Sequence, residues 1–362
     1  MKILCWMTLV ANGLKSKPYL QKTRQAWPVS FLFFCLLLTG CVDSSTELTA
    51  YHIEGETMGT FYQITLVTDP EAPAVQVDRL KQAIDTELQK INQMMSTYIA
   101  DSDLMRFNAG PVNEWIELPE PLLEVFSISQ DISEKTTGAF DITIAALVDL
   151  WGFGPEMRPH RVPTAAALQN ALQQVGYHLL EVEANRARRL KDIHIDLSAV
   201  AKGYGADWIA AYLHEHGWRN HMVNIGGDMR ISGVSPRSDR WRIAVERPGV
   251  MREGVFTTLA LSNQAVATSG DYRNYFEEDG VRYSHTLDPS TGKPIQHNMV
   301  SVTVIADTAA EADAWATALN VLGSQAGMAV ANAEQMAVYM IVKTDGGFKG
   351  IPSAGFMRYE AR

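Results

Sequence analysis

Between Thr60 and Thr68 apolar and polar positions alternate, with Tyr62, Ile64 and Leu66 on one face, the pattern of a strand buried on one side. The period then changes. Val77, Leu80, Ile84, Leu88, Ile91 and Met95 follow at spacings of 3, 4, 4, 3 and 4, a single apolar stripe that predicts a long helix. A second helix is expected over 121–135. Thr136-Thr137-Gly138-Ala139-Phe140-Asp141 breaks the pattern, and 142–150 resumes it until Trp151-Gly152-Phe153-Gly154-Pro155 stops it. Further helices are expected over 164–175 and 203–216. Short β-like runs follow at 221–225, 241–246, 256–261, 281–287 and 299–306, then a helix at about 309–321 and a last strand at 337–343. Helices concentrate early and strands late. That segregation predicts an α+β fold with largely antiparallel or mixed sheets flanked by helices.

The N-terminal stretch has a different logic. All five basic residues before position 41 (Lys2, Lys15, Lys17, Lys22, Arg24) lie in a segment without Asp or Glu, followed by an apolar run over 29–38 broken only by Ser30. A basic lead and an apolar run too short to span a bilayer read as a secretory signal. The run closes on Leu38-Thr39-Gly40-Cys41, which resembles the lipobox of bacterial lipoproteins and so implies cleavage before Cys41 and lipidation of its thiol. The expected organisation is a signal peptide over 1–40, a polar tether over 41–50 and one folded domain over 51–362. Cys5, Cys35 and Cys41 are the three cysteines, so no disulfide can staple the folded body. These signals imply a lipid-anchored protein on the periplasmic side of a bacterial membrane, working without cytosolic ATP. The net charge of −10 also understates the acidity of the body, where 26 basic face 41 acidic residues. Such a surface disfavours nucleic acid, whose affinity comes largely from Lys and Arg at phosphates.

Three segments carry candidate chemistry. The first is Asp196-Leu197-Ser198-Ala199-Val200-Ala201-Lys202-Gly203, which leads from an apolar alternation into a helix. Backbone N–H groups at a helix start, with a Lys nearby, suit an anion such as phosphate. Lys202 is followed by Gly, so this is not a Walker loop, and a capped helix with a solvated Lys is the plain alternative. The second is Glu311-Ala312-Asp313-Ala314-Trp315-Ala316-Thr317, where Asp313 and Thr317 fall one turn apart on one helical face. Their oxygens can take two positions around a hard cation such as Mg²⁺, unless Asp313 is merely exposed and Thr317 bonded back to its own helix. The third is Ser284-His285-Thr286-Leu287-Asp288-Pro289-Ser290-Thr291-Gly292, a strand end running into an Asp-Pro turn. His285 there can accept a proton near neutral pH, although a lone His is more often a hydrogen-bonded core residue. No Gly-x-Ser-x-Gly elbow or Cys/His cluster supports a simple hydrolase or zinc site.

Taken in order, eight segments resemble the ApbE family of flavin transferases. They are Thr57-Met58-Gly59-Thr60, Met95-Ser96-Thr97-Tyr98, Thr137-Gly138-Ala139-Phe140-Asp141, Asp196-Leu197-Ser198-Ala199 with Lys202-Gly203, Asn224-Ile225-Gly226-Gly227-Asp228, Thr268-Ser269-Gly270-Asp271-Tyr272, the His285 turn and Glu311 through Thr317. The resemblance implies an enzyme that splits FAD and attaches FMN through its phosphate to a Thr of an acceptor protein, releasing AMP. It implies flavin-site roles for Met58, Tyr98, Ala139, Phe140, Asp141, Asp196 and Lys202, with Thr268, Ser269 and Gly270 as further cofactor-binding candidates. It makes Ala199, through its carbonyl, Asp313 and Thr317 the Mg²⁺ ligands and His285 the general base. Asp196 either fixes the adenine or braces its turn. Acceptors implied are flavin-bearing subunits of Na⁺-translocating NADH:quinone oxidoreductase or Rnf-type complexes. The alternatives are an Mg²⁺-dependent FAD pyrophosphatase, with water replacing the Thr, and a flavin-binding lipoprotein without turnover.

Overall fold

The computed structural model describes residues 48–68, 74–155, 160–248, 254–270 and 275–361. The expected signal peptide, Cys41 and most of the tether lie outside them. Eight strands form one sheet in the spatial order Thr49–Thr57, Thr60–Thr68, Asn220–Ile225, Asp228–Ser232, Ala265–Gly270, Met299–Ala306, Ala337–Thr344 and Gly347–Pro352. Every neighbouring pair is antiparallel. The α+β expectation therefore holds, with the sheet antiparallel throughout. The first strand starts within the expected tether, because Thr49 pairs with Thr68.

The seven helices among the described residues are α1 (Ala74–Met95), α2 (Asp103–Ala109), α3 (Glu120–Lys135), α4 (Ala145–Leu150), α5 (Ala165–Leu172), α6 (Ala201–Glu215) and α7 (Ala309–Ala333). None is long and apolar enough to cross a membrane. The stripe on α1 does what its spacing requires: Leu80, Ile84, Leu88, Ile91 and Met95 are buried with Tyr62, Ile64 and Leu66 in the main core, which α6 and α7 complete. The opposite sheet face carries a second core. There Val67, Ile231, Val266, Ile305 and Ile341 meet Trp241, Ile243, Leu259 and Leu261 of the hairpin Trp241–Glu246/Val255–Leu261, together with Phe356. Central strands buried on both faces read as continuous apolar runs, which explains why Ala337–Thr344 shows little alternation.

Four strands of this sheet had no clear signal in the sequence: Thr49–Thr57, Asp228–Ser232, Ala265–Gly270 and Gly347–Pro352. They are polar or glycine-containing, and each forms by pairing with a neighbour already specified by its apolar pattern. The last strand is accordingly Gly347–Pro352 rather than 337–343. Helix α7 also runs past the expected end, continuing through a break at Gly323 (φ 73°, ψ 176°) where His297 Nε2 donates to the Asn320 carbonyl at 2.7 Å.

The starts of α6 and α7 pack unusually close. A Cβ on Gly203 would stand 2.1 Å from the Ala309 carbonyl oxygen, so only glycine allows this approach. Asp207, one turn along α6, accepts from the first two N–H groups of α7, those of Ala309 and Ala310, at 2.9 Å each. Thr308 caps the same end, its hydroxyl accepting from the Glu311 N–H at 3.2 Å and donating to the Glu311 carboxylate at 2.8 Å. Gly203→Ala is therefore expected to cost about 1–3 kcal/mol through overpacking. Urea unfolding at the wild-type midpoint would show that the two helices do not meet this closely.

Candidate functional site

Register places three features at one end of the sheet. The strand pairs Thr57↔Thr60 and Ile225↔Asp228 close on the two-residue tips Met58-Gly59 and Gly226-Gly227, all four at positive φ. These are the tight hairpin turns whose twist suits antiparallel strands. The end of Ala265–Gly270 reaches the same edge, with Gly270 opposite Ser301. Facing this edge are the segments 96–98, 139–144 and 196–199 and the starts of α6 and α7. Together they enclose a cavity of about 730 Å³, a size usual for small-molecule sites.

Every residue singled out from the sequence except Cys41 lines that cavity: Met58, Tyr98, Ala139, Phe140, Asp141, Asp196, Ala199, Lys202, Thr268, Ser269, Gly270, His285, Asp313 and Thr317. Asp271 and Tyr272 of the Thr268-to-Tyr272 segment lie outside the described residues.

Lys202 sits at the centre of the polar wall. Its Nζ lies 2.7 Å from Asp228 Oδ2 and 3.0 Å from Asp313 Oδ2. Burial disfavours the ammonium, but the two carboxylates outweigh it and hold the Lys202 pKa above the ordinary lysine range. Burial pushes the Asp228 pKa up, and the neighbouring Asp313 charge adds to the rise against the pull of Lys202. Gly226 makes room for the lysine stem, since a Cβ there would lie 3.3 Å from Lys202 Cδ and 2.9 Å from Thr60 Cγ2. A solvated Lys202 is thus not what the fold contains.

The oxygen donors lie around this pair. Asp313 Oδ2 also accepts from the Gly203 N–H at 3.2 Å. In a regular helix that N–H would point at the Ala199 carbonyl; here the helix starts only after Val200, at φ −148°. Thr317, one turn beyond Asp313, is 3.2 Å from Ser269 Oγ. Carboxylate, hydroxyl and carbonyl oxygens form the donor set a hard cation prefers, so these residues fit Mg²⁺. Among the described residues no group of three His, Cys, Asp or Glu side chains could hold a metal by itself. Further ligands must come from substrate phosphate and water.

The remaining residues divide by what their polar atoms touch. Asp141 uses both oxygens on the backbone, accepting from Thr143 N and Oγ1 at 2.8 and 2.6 Å and from Tyr177 N at 2.8 Å. Burial pushes its pKa up against these bonds. Asp196 Oδ1 braces its own turn by accepting from Ser198 N at 2.7 Å. Tyr98 stands at the rim with 68% of its surface exposed, its phenol pKa raised by partial burial and by the Asp196 and Asp149 charges. Thr268 pairs with Thr303 through their hydroxyls at 2.8 Å. His285 follows the strand Val281–Ser284, with its ring 6.4 Å from that of Phe153.

Sequence reasoning missed Asp228, Phe61, Gln63 and Glu246, which also line the cavity. Asp228 had a signal, since it ends the Asn224-to-Asp228 segment, one of the eight that resemble the family. Its partner is 26 residues away in the chain, and no local pattern names it.

Comparison with known proteins agrees with this geometry. The model of the ApbE family matches residues 58–340. An FAD:protein FMN transferase of Vibrio cholerae serotype O1 is 44% identical over 322 residues, covering 89% of this chain and 95% of the relative. One from Escherichia coli K12 is 38% identical over 344 residues, covering 91% and 96%. The solved flavin transferase ApbE from Vibrio cholerae superposes with a TM-score of 0.79 at 42% identity, covering 86% of this chain and 99% of that one. The apo flavinyl transferase ApbE of Pseudomonas stutzeri gives 0.78 at 36% identity, covering 86% and 97%. Matches of this length and depth, on one fold, establish that this chain belongs to the ApbE family.

Proposed function

We propose that this protein is an Mg²⁺-dependent FAD:protein FMN transferase, joining FMN by a phosphoester to a Thr of an acceptor flavoprotein and releasing AMP. The observation that carries the reading is the convergence of Asp313, Thr317, the Ala199 carbonyl, Lys202 and His285 on one cavity. A displacement at phosphorus needs charge neutralisation at the pyrophosphate and a group to take the nucleophile's proton, and this set supplies both.

The chemistry follows from the residues. The acceptor Thr oxygen bonds to the FMN phosphorus as the bridging P–O bond breaks, and AMP leaves with the electron pair. His285 takes the Thr hydroxyl proton. The Lys202 ammonium, kept charged by Asp228 and Asp313, lies where pyrophosphate charge gathers. Asp313, Thr317 and the Ala199 carbonyl would hold Mg²⁺, which neutralises that charge when bound. Ala199 offers only its backbone oxygen, so its contribution depends on the local break before α6. Met58, Tyr98, Ala139 and Phe140 offer the apolar and aromatic wall a flavin ring needs, with Asp141 and Asp196 bracing the segments that carry it.

The same proposal keeps the body on the periplasmic side of a bacterial membrane, tethered through lipid on Cys41. Its acceptors there are flavin-bearing subunits of Na⁺-translocating NADH:quinone oxidoreductase or Rnf-type complexes.

The test is intact mass of an acceptor domain incubated with enzyme, FAD and Mg²⁺. A gain of one FMN less water, abolished by EDTA, is expected; free FMN and AMP beside an unmodified acceptor would point to a pyrophosphatase, and untouched FAD to a binding protein. Asp313→Ala should lower transfer by at least about 100-fold while part of the FAD affinity survives, and full Mg²⁺-dependent activity in that variant would remove the metal assignment. His285→Gln should leave FAD bound and slow transfer by about 10²–10⁴-fold; an unchanged rate gives the proton to another group. Cys41→Ser should move the protein from the membrane to the soluble fraction with its turnover intact. Retention in the membrane pellet would instead mean an uncleaved anchor.

A further inference from the structure

His285 lies between two arms. Before it runs the hairpin Tyr275–Glu278/Val281–Ser284, and after it the turn closed by Leu287–Asp288 pairing with Lys293–Pro294. Both arms meet the Trp151-Gly152-Phe153 segment, which the sequence marked only as a helix stop. Trp151 is buried, and its ring lies 5.6 Å from Tyr283 and 6.4 Å from Phe276 on the leading arm. Its Nε1–H donates to the Gly292 carbonyl on the trailing arm at 2.8 Å. Phe276 and Tyr283 stack on each other across the hairpin at 5.1 Å, so the leading arm moves as a unit. Phe153 continues the contact, 5.8 Å from Phe276 and edge-on to the His285 ring. Trp151 itself does not line the cavity.

We propose that Trp151 is a positioning residue for His285. Its ring fixes the chain before the histidine and its indole N–H fixes the chain after it, so the imidazole between them is held at the cavity wall. Thr286 adds a third restraint, since its hydroxyl accepts from Asn320 Nδ2 of α7 at 3.4 Å, which references the same stretch to the helix bearing Asp313 and Thr317. A proton acceptor must meet the nucleophile within a narrow range of distance and angle, and a displacement of about 1 Å can cost about 100-fold in rate. A side chain gripping both arms narrows that range without touching substrate.

The inference rests on His285 as the base, and a double-mutant cycle separates the two claims. Trp151→Phe keeps an aromatic ring and removes the N–H. It is expected to lower kcat for transfer about tenfold, with KM and Kd for FAD within about twofold of wild type. In a His285→Gln background the same change should alter the single-turnover rate by less than about twofold, because there is no longer a base to position. Equal losses in both backgrounds, a loss confined to KM, or a fully active Trp151→Phe would overturn the positioning role and leave the base assignment standing. An unimpaired His285→Gln enzyme would remove the base assignment, and this inference with it. Should Trp151→Phe fail to fold, Tyr283→Leu loosens the leading arm while sparing the indole bond, and the same split between kcat and KM is expected; its absence counts against the proposal equally.

Discussion

The half-buried ammonium of Lys202 ties three parts of the chain that are far apart in sequence. It leaves the start of α6, passes over the Gly226-Gly227 tip, and ends between Asp228 at the edge of the sheet and Asp313 on α7. Buried carboxylates such as those of Asp228 and Asp313 are tolerable only when paired and hydrogen-bonded, and removing Lys202 would leave their charge uncompensated in the interior. Two acidic partners for one base leave the cluster short of positive charge. That is also the state in which a divalent cation and a polyanionic substrate can enter together, each meeting opposite charge already in place.

The close approach of α6 and α7 keeps this cluster in register. Gly203 lets the helix starts touch, Asp207 caps α7, and the Gly203 N–H goes to Asp313 rather than continuing the helix ladder. The backbone break before α6 thus leaves the Ala199 carbonyl out of the regular helix, while the Gly203 N–H binds the Asp313 carboxylate at the cavity wall. His285, the proposed base, comes from elsewhere, on a stretch braced by aromatic packing against Trp151 and by Asn320 of α7. Helix α7 therefore references both halves of the site, which links the stability of its first three turns to function.

Much was legible in the chain because it is encoded locally. The stripe from Val77 to Met95, the alternation from Thr60 to Thr68 and the helix signal of Glu311 through Thr317 each reflect one face of one element meeting the core, so period alone reveals them. The candidate site residues, which share one cavity, came chiefly from the resemblance of short motifs at strand and helix ends to one family. Strands such as Thr49–Thr57 and Ala265–Gly270 were not, because their polar and small residues become a strand only against a paired neighbour. Asp141 shows the limit at the site: the family resemblance implied a flavin-site role, whereas both of its carboxylate oxygens accept from Thr143 and Tyr177.

By itself the sequence determined the type of the strongly patterned elements, an acidic body without cysteines beyond position 41, and a set of polar residues at element ends whose order resembles one family. Those properties depend on neighbours within a few residues, or on composition, and survive without a fold. Only the tertiary structure decided that Asp228 is the nearer partner of Lys202, that Asp196 braces its own turn, and that Trp151 holds both arms around His285. Each of those facts is a distance between residues brought together by sheet register and helix packing, and such distances are set by how the whole core closes rather than by any segment of it.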